Sequence, residues 1–187
     1  MRFASLKMSQ RSQNLEVGNH ILSIYNNREA KFNEIFDFLK IGLLQNEVAM
    51  MITEELTKEE IIKKMNANLS DKNIEEMVNN GDFIIKSTSE WYFQGGVPRI
   101  QRTKALWAEL LNRLAKRGKK GLRVVGDVSA FFKYGLQKQL IEYELSFEQK
   151  FDFPLTAICT YNKADLDKFF TAEELGEIKK NHNPVWE

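Results

Sequence analysis

Val48-Ala49-Met50-Met51-Ile52, followed by Thr57-Lys58-Glu59-Glu60, decides the fold class. Five apolar residues in a row, bounded by polar ones, are the pattern of a strand buried on both faces, as in a parallel sheet covered by helices. Thr57 and Glu60 have the spacing of a capping box, in which the hydroxyl and the carboxylate each accept a hydrogen bond from the other residue's backbone N–H. The box opens a helix that carries Ile61, Ile62 and Met65. A buried strand leading into a capped helix is one half of a βαβ unit.

The alternation extends outward on both sides. Upstream, His20-Ile21-Leu22-Ser23-Ile24-Tyr25 reads as a strand, and Phe32, Ile35, Phe36 and Leu39 form the apolar stripe of a helix that Gly42 should stop. Downstream, a short helix starts at Ser70 and ends near Gly81, and Asp82–Lys86 and Trp91-Tyr92-Phe93 read as short strands. A helix from Arg102 places Leu106, Leu110, Leu111 and Leu114 on one face and breaks at Gly118, before the strand Leu122–Val125 and the turn Gly126-Asp127. Residues 130–145 read as one helix, Leu155–Tyr161 as a strand, and Thr171-Ala172-Glu173-Glu174 as a second capping box opening a helix to about Lys180. Strands separated by helices in this order predict an α/β three-layer sandwich with a mostly parallel sheet. Residues 1–16 read as a flexible leader and residues 17–187 as one domain.

The composition agrees. The chain has 187 residues, 43% hydrophobic and 28% charged, which excludes collagen-like, disordered and coiled-coil classes. Its net charge of +1 gives no bulk attraction to nucleic acid or membranes. No apolar run has signal-peptide or membrane-spanning length, so a cytoplasmic protein with no membrane partner is expected. With one cysteine, Cys159, and two histidines, neither an internal disulfide nor an all-Cys/His tetrahedral zinc site can form, and no metal site is expected.

In doubly wound α/β domains ligands bind beyond the carboxyl ends of the strands, so the loops after Ile52, Val125 and Tyr161 are where a site is expected. A phosphate loop needs glycines so that successive backbone N–H groups close on the phosphates, with a lysine beside them. The loop after Ile52 is Thr53-Glu54-Glu55-Leu56-Thr57, and no glycine lies between Gly42 and Gly81. Asp127, after an apolar strand and before a helix, suits an N-cap or a metal-linked acid. Cys159 and Tyr161 are two apart on one strand and share a face, whereas His20 and Tyr25, five apart, point to opposite faces. His20 could serve as a ligand, a switch or a satisfied polar residue. His182, just past the last helix, is accounted for by the helix dipole. Between Arg99 and Arg123 nine basic residues face one acid, Glu109; Arg113, Lys116, Arg117, Lys119 and Lys120 form the core of this patch, with Glu54, Glu55, Glu59 and Glu60 as its counterbalance. It reads as a solvated helix face or as a grip for nucleic acid or an acidic partner.

Several segments in order resemble a known family: His20 to Tyr25; Phe38-Leu39 to Gly42-Leu43 before Asn46-Glu47; Gly121-Leu122-Arg123-Val124-Val125-Gly126-Asp127; Tyr143-Glu144; Cys159-Thr160-Tyr161-Asn162; and His182 with Pro184. Together they are similar to the MEDS sensory domain of methanogens and methylotrophs over about residues 17–187. The resemblance implies a RecA/KaiC-like fold that has lost its nucleotide-hydrolysing motifs. It further implies a small-molecule sensor, for ligands such as simple hydrocarbon derivatives, acting in signalling and transcription. Carried over position by position, the ligand-binding residues are His20, Tyr25, Glu144, Cys159 and Tyr161. The expected protein is a non-enzymatic sensor that passes its state to a signalling or DNA-binding partner, with a homodimer as a further candidate and no cofactor indicated. The alternatives are a degenerate KaiC-like nucleotide binder or ATPase using Asp127, and a nucleic-acid accessory protein using residues 99–123.

Overall fold

The computed structural model describes residues 10–13, 15–69, 73–94 and 96–187. Its elements run α1 (Gln10–Gln13), β1 (His20–Tyr25), α2 (Arg28–Leu44), β2 (Val48–Ile52), α3 (Lys58–Asn68), α4 (Ile74–Asn79), β3 (Phe83–Lys86), α5 (Ile100–Lys116), β4 (Leu122–Asp127), α6 (Ser129–Lys133), α7 (Gln137–Glu144), β5 (Leu155–Asn162), α8 (Lys163–Phe169), α9 (Ala172–Lys180) and β6 (Val185–Trp186). Six strands form one sheet in the order β3-β2-β4-β5-β1-β6, and every pairing between them is parallel. The sandwich expected from the alternation is the one observed.

Strand residues alternate between two cores, because successive side chains leave opposite faces. Leu22, Met50, Val124 and Ala157 meet Trp107 of α5, Phe131 of α6 and Leu140 of α7. Ile21, Met51, Val125 and Ile158 meet Phe36 and Leu39 of α2 and Ile61 and Met65 of α3. These are called below the α5 face and the α2 face. Both capping boxes read from the sequence form, at Thr57/Glu60 and at Thr171/Glu174.

Three local expectations fail, each for a definite reason. Gly42 does not stop α2, which runs on to Leu44; a Cβ there would lie 2.7 Å from Arg123 Cδ, so this glycine makes room for the buried Arg123–Glu47 ion pair. The chain leaves the helix at Asn46, in the left-handed region at φ 64°. Trp91-Tyr92-Phe93 is not a strand but part of a π-helical turn, Ser89–Phe93. Ser87 and Glu90 exchange reciprocal 3.0 Å hydrogen bonds ahead of it, a capping arrangement passed over in the sequence. The helix expected over 130–145 is two helices, divided where Gly135 takes φ +68°. Asn73 caps α4, and Ser70 lies outside the described residues. Of the leader, residues 10–13 form α1 with Ser12 buried, and Leu15 packs on the α2-face core; residues 1–9 and 14 are outside the described set.

Candidate functional site

Beneath the α5 face four chemically active side chains converge. His20 opens β1 and is in register with Ala157 of β5, so Cys159, two residues on and on the same face, lies diagonally next to it. Glu144 closes α7 and points down onto them, and His182, just beyond α9, completes the group. Cys159 Sγ is 3.6 Å from His20 Nε2 and 3.7 Å from Glu144 Oε2. Glu144 Oε2 is 3.5 Å from His20 Nε2 and 3.4 Å from His182 Nε2. The other carboxylate oxygen accepts a 2.8 Å hydrogen bond from the Tyr161 hydroxyl. Of the carried-over residues the structure thus unites His20, Glu144, Cys159 and Tyr161.

Backbone carbonyls fix both imidazoles. His20 Nδ1 lies 3.0 Å from the Asn181 carbonyl and 3.2 Å from that of Glu148, and His182 Nδ1 lies 2.7 Å from that of Ile178. A carbonyl can only accept, so each Nδ1 carries a proton and each Nε2 faces into the cluster. The dipole account of His182 therefore covers only its Nδ1. Burial, reinforced by the Glu144 charge, pushes the Cys159 thiol and the Tyr161 hydroxyl well up.

Tyr25 is elsewhere, on the α2 face at the carboxyl ends of the strands. Its hydroxyl lies 3.1 Å from Glu55 and accepts from Lys31 Nζ at 3.0 Å. Lys31, with a side chain 1% exposed, is ion-paired to Glu55 and 3.8 Å from Asp127. Asp127 accepts from Thr53 Oγ1 at 2.7 Å and from the Ser129 N–H, the first of α6, at 3.0 Å, but the N-cap position itself is Val128, so the expected cap is replaced by a buried ion network. The carboxyl-end site expected from the strand order is thus filled by the protein's own ion network. The first strand-to-helix turn, where a phosphate loop sits in this topology, contains only Asn26 and Asn27 between β1 and α2.

Open space lies instead on the α5 face. A groove of about 560 Å³ runs between α5 and the 146–154 segment and reaches Pro154, at the amino end of β5. Inside it is a chamber of about 20 Å³, lined among others by Val124, Ala157, Cys159 and His20, with Trp107, Phe147 and Phe151 bordering both spaces. His20 stacks on Phe151 at 4.9 Å between ring centroids and meets Phe147 edge-on. The three aromatic rings are the partition between groove and chamber.

The basic segment is divided. Arg123 is buried against Glu47 and Gln45, while Arg117 and Lys119 pair with Asp82 at 2.6 and 2.7 Å. Arg113, Lys116 and Lys120 stay exposed. The counterbalancing acids are Asp82 and Glu47, not the 54–60 stretch, whose Glu55 serves Lys31 and Arg28 and whose Glu60 caps α3.

Comparison with known proteins bears on residues 19–183, which match the family model MEDS, the MEthanogen/methylotroph, DcmR Sensory domain. The chain belongs to the MEDS family. All five carried-over positions of this MEDS domain lie inside the matched span, as does His182. A search of curated proteins gives no match. Among solved structures the domain is similar to the flagellar accessory protein FlaH from Methanocaldococcus jannaschii, with a TM-score of 0.47 and 10% identity over 96% of this chain and 76% of that one. Among the described residues no helix is long and apolar enough to cross a membrane.

Proposed function

We propose that this MEDS domain is a non-enzymatic cytoplasmic sensor for a very small apolar or polarisable molecule, taken up in the chamber under α5. The observation that carries this reading is the chamber itself: about 20 Å³, apolar on nearly every side, with Cys159, His20, Tyr92 and Tyr143 as the polar-tipped side chains of its lining. A space of that size holds about one water-sized group, which excludes nucleotides and favours one- or two-carbon compounds such as simple hydrocarbon derivatives. Entry displaces Phe147 from the partition, and Phe147 lies three residues past Glu144, so occupancy shifts the link from α7 to β5 at the groove. A signalling or DNA-binding partner, or a second copy of the chain, reads that altered groove.

Trp107 borders both spaces and reports occupancy. Titration of the full chain with dichloromethane, methanol and ethyl halides, followed by tryptophan fluorescence and thermal shift, should give saturable stabilisation of several °C for one compound class, since ligand at 100 times its Kd adds about 2.7 kcal/mol. Ala157→Leu fills the chamber and should abolish that response while the protein stays folded. A saturable response that survives Ala157→Leu would place the ligand elsewhere. The absence of any response in the wild-type chain would remove the proposal.

A further inference from the structure

We propose that His20 Nε2, His182 Nε2, Glu144 Oε2 and Cys159 Sγ form a four-coordinate binding site for a divalent cation of the zinc class. The four ligand atoms all lie within 4.8 Å of one another, and the residues are all buried. The cation site shares His20 and Cys159 with the lining of the chamber, but the inference rests on the four-ligand geometry and its test reads the metal, so it stands or falls separately from small-molecule sensing.

The imidazole-to-carboxylate distances are longer than charge-assisted hydrogen bonds and suit a coordination polyhedron. Charge-assisted N–H···O bonds measure about 2.7–2.9 Å. The imidazole-to-carboxylate separations here are 3.4 and 3.5 Å, and the sulfur contacts are 3.6 and 3.7 Å. Bonds of about 2.0–2.3 Å from a tetrahedral zinc put its ligands about 3.3–3.6 Å apart, close to these four separations, and the two remaining pairs lie within 4.8 Å, so the ion draws the set slightly together. His182 Nε2 is the independent sign of a missing partner: it is buried, points into the cluster, and has no hydrogen-bond partner. Its side chain is 0% exposed, so no solvent replaces that partner.

The surroundings are those of metal-bound histidine. Each Nδ1 is held by backbone carbonyls, which fixes the tautomer and aims Nε2 inward, and the Tyr161 hydroxyl orients the carboxylate by its free oxygen. The ring centroids of His20 and His182 lie 3.8 Å apart with the planes tilted by 35°, a contact that two neutral imidazoles tolerate and two imidazolium ions do not. With neutral imidazoles the buried Glu144 carboxylate has no cation, and a divalent ion supplies one. Two nitrogens, a thiolate and a carboxylate oxygen suit zinc in its closed, structural geometry. On binding, the Cys159 thiol gives up its proton to solvent and the sulfur takes the metal in its place. The ion then ties β1, α7, β5 and the segment between α9 and β6 together.

The test is the metal content of the full chain, expressed without a histidine tag, purified under reducing conditions and reconstituted with zinc. One equivalent of zinc per chain is expected. Cobalt substitution should give the intense visible bands of a tetrahedral ion together with thiolate-to-cobalt charge transfer. Cys159→Ser should remove the charge-transfer band and His182→Ala should lower zinc affinity by at least about 10-fold, while Tyr25→Phe, in the other buried cluster, leaves both unchanged. A variant that fails to fold leaves the wild-type result to decide. Wild-type protein that is folded by circular dichroism, yet takes up no zinc and gives no cobalt spectrum, overturns the proposal. So does a cobalt spectrum unaltered by Cys159→Ser in a folded variant.

Discussion

Two buried polar clusters flank the same strands, and only one of them brings its own cation. On the α2 face Lys31 lies among Glu55, Asp127 and Tyr25, with Arg28 reaching Glu55 from the rim, so charges of both signs are present. On the α5 face Glu144 meets two imidazoles whose protons point away, a thiol and a phenol. The difference separates structure from site. A self-neutralised network closes the carboxyl ends of the strands, whereas a cluster of converging lone pairs has an unfilled requirement. Position in the fold would have pointed to the first, and the inventory of donors and acceptors points to the second.

The largest effect that would sharpen the contrast is removal of the cation. Lys31→Met leaves Asp127 and Glu55 buried without it and should cost about 3–5 kcal/mol in urea unfolding. Adding Asp127→Asn to that variant should recover part of the loss, and a Lys31→Met protein of wild-type stability would dissolve the distinction. On the other side, Tyr161→Phe removes one hydrogen bond to a buried carboxylate, expected to cost about 1.5–3 kcal/mol in the same assay. The same change should weaken zinc binding about 10–100-fold, as loss of a partner to a ligating carboxylate does.

Acid should relieve the α2-face cluster. Asp127 is pushed up by burial, which outweighs the pull of Lys31, with the Glu55 charge adding to it. Its penalty exists above the unfolded value and is relieved as the pH falls through the raised one. Denaturation followed between pH 6 and 3 should therefore gain acid sensitivity in Asp127→Asn, and a slope equal to that of the wild type would contradict the assignment. The smallest effect belongs to the exposed basic face: Lys116→Ala with Lys120→Ala should move Tm by no more than about 2 °C.

The sequence disclosed the parts more readily than their assembly. Val48–Ile52 and the boxes at Thr57 and Thr171 rest on local rules, and they form as read. The faces followed from strand period: Cys159 and Tyr161 share one, and Tyr25 leaves the opposite side from His20. Gly42 misled because a glycine needed for close approach of Arg123 has the same letter as one that ends a helix. The four-ligand cluster was hidden for two reasons. Counting only cysteine and histidine left out the carboxylate of Glu144, and nothing local to His182 shows that β6, pairing beside β1, returns it to the first residue of that strand.

The most direct measurement is the protonation of the two imidazole rings, read from long-range nitrogen–proton correlations in the zinc-loaded full chain at neutral pH. Both His20 and His182 should appear as Nδ1–H tautomers with an unprotonated, metal-shifted Nε2. A proton on Nε2 of either ring would make the cluster an ordinary ion pair with Glu144 and contradict the account.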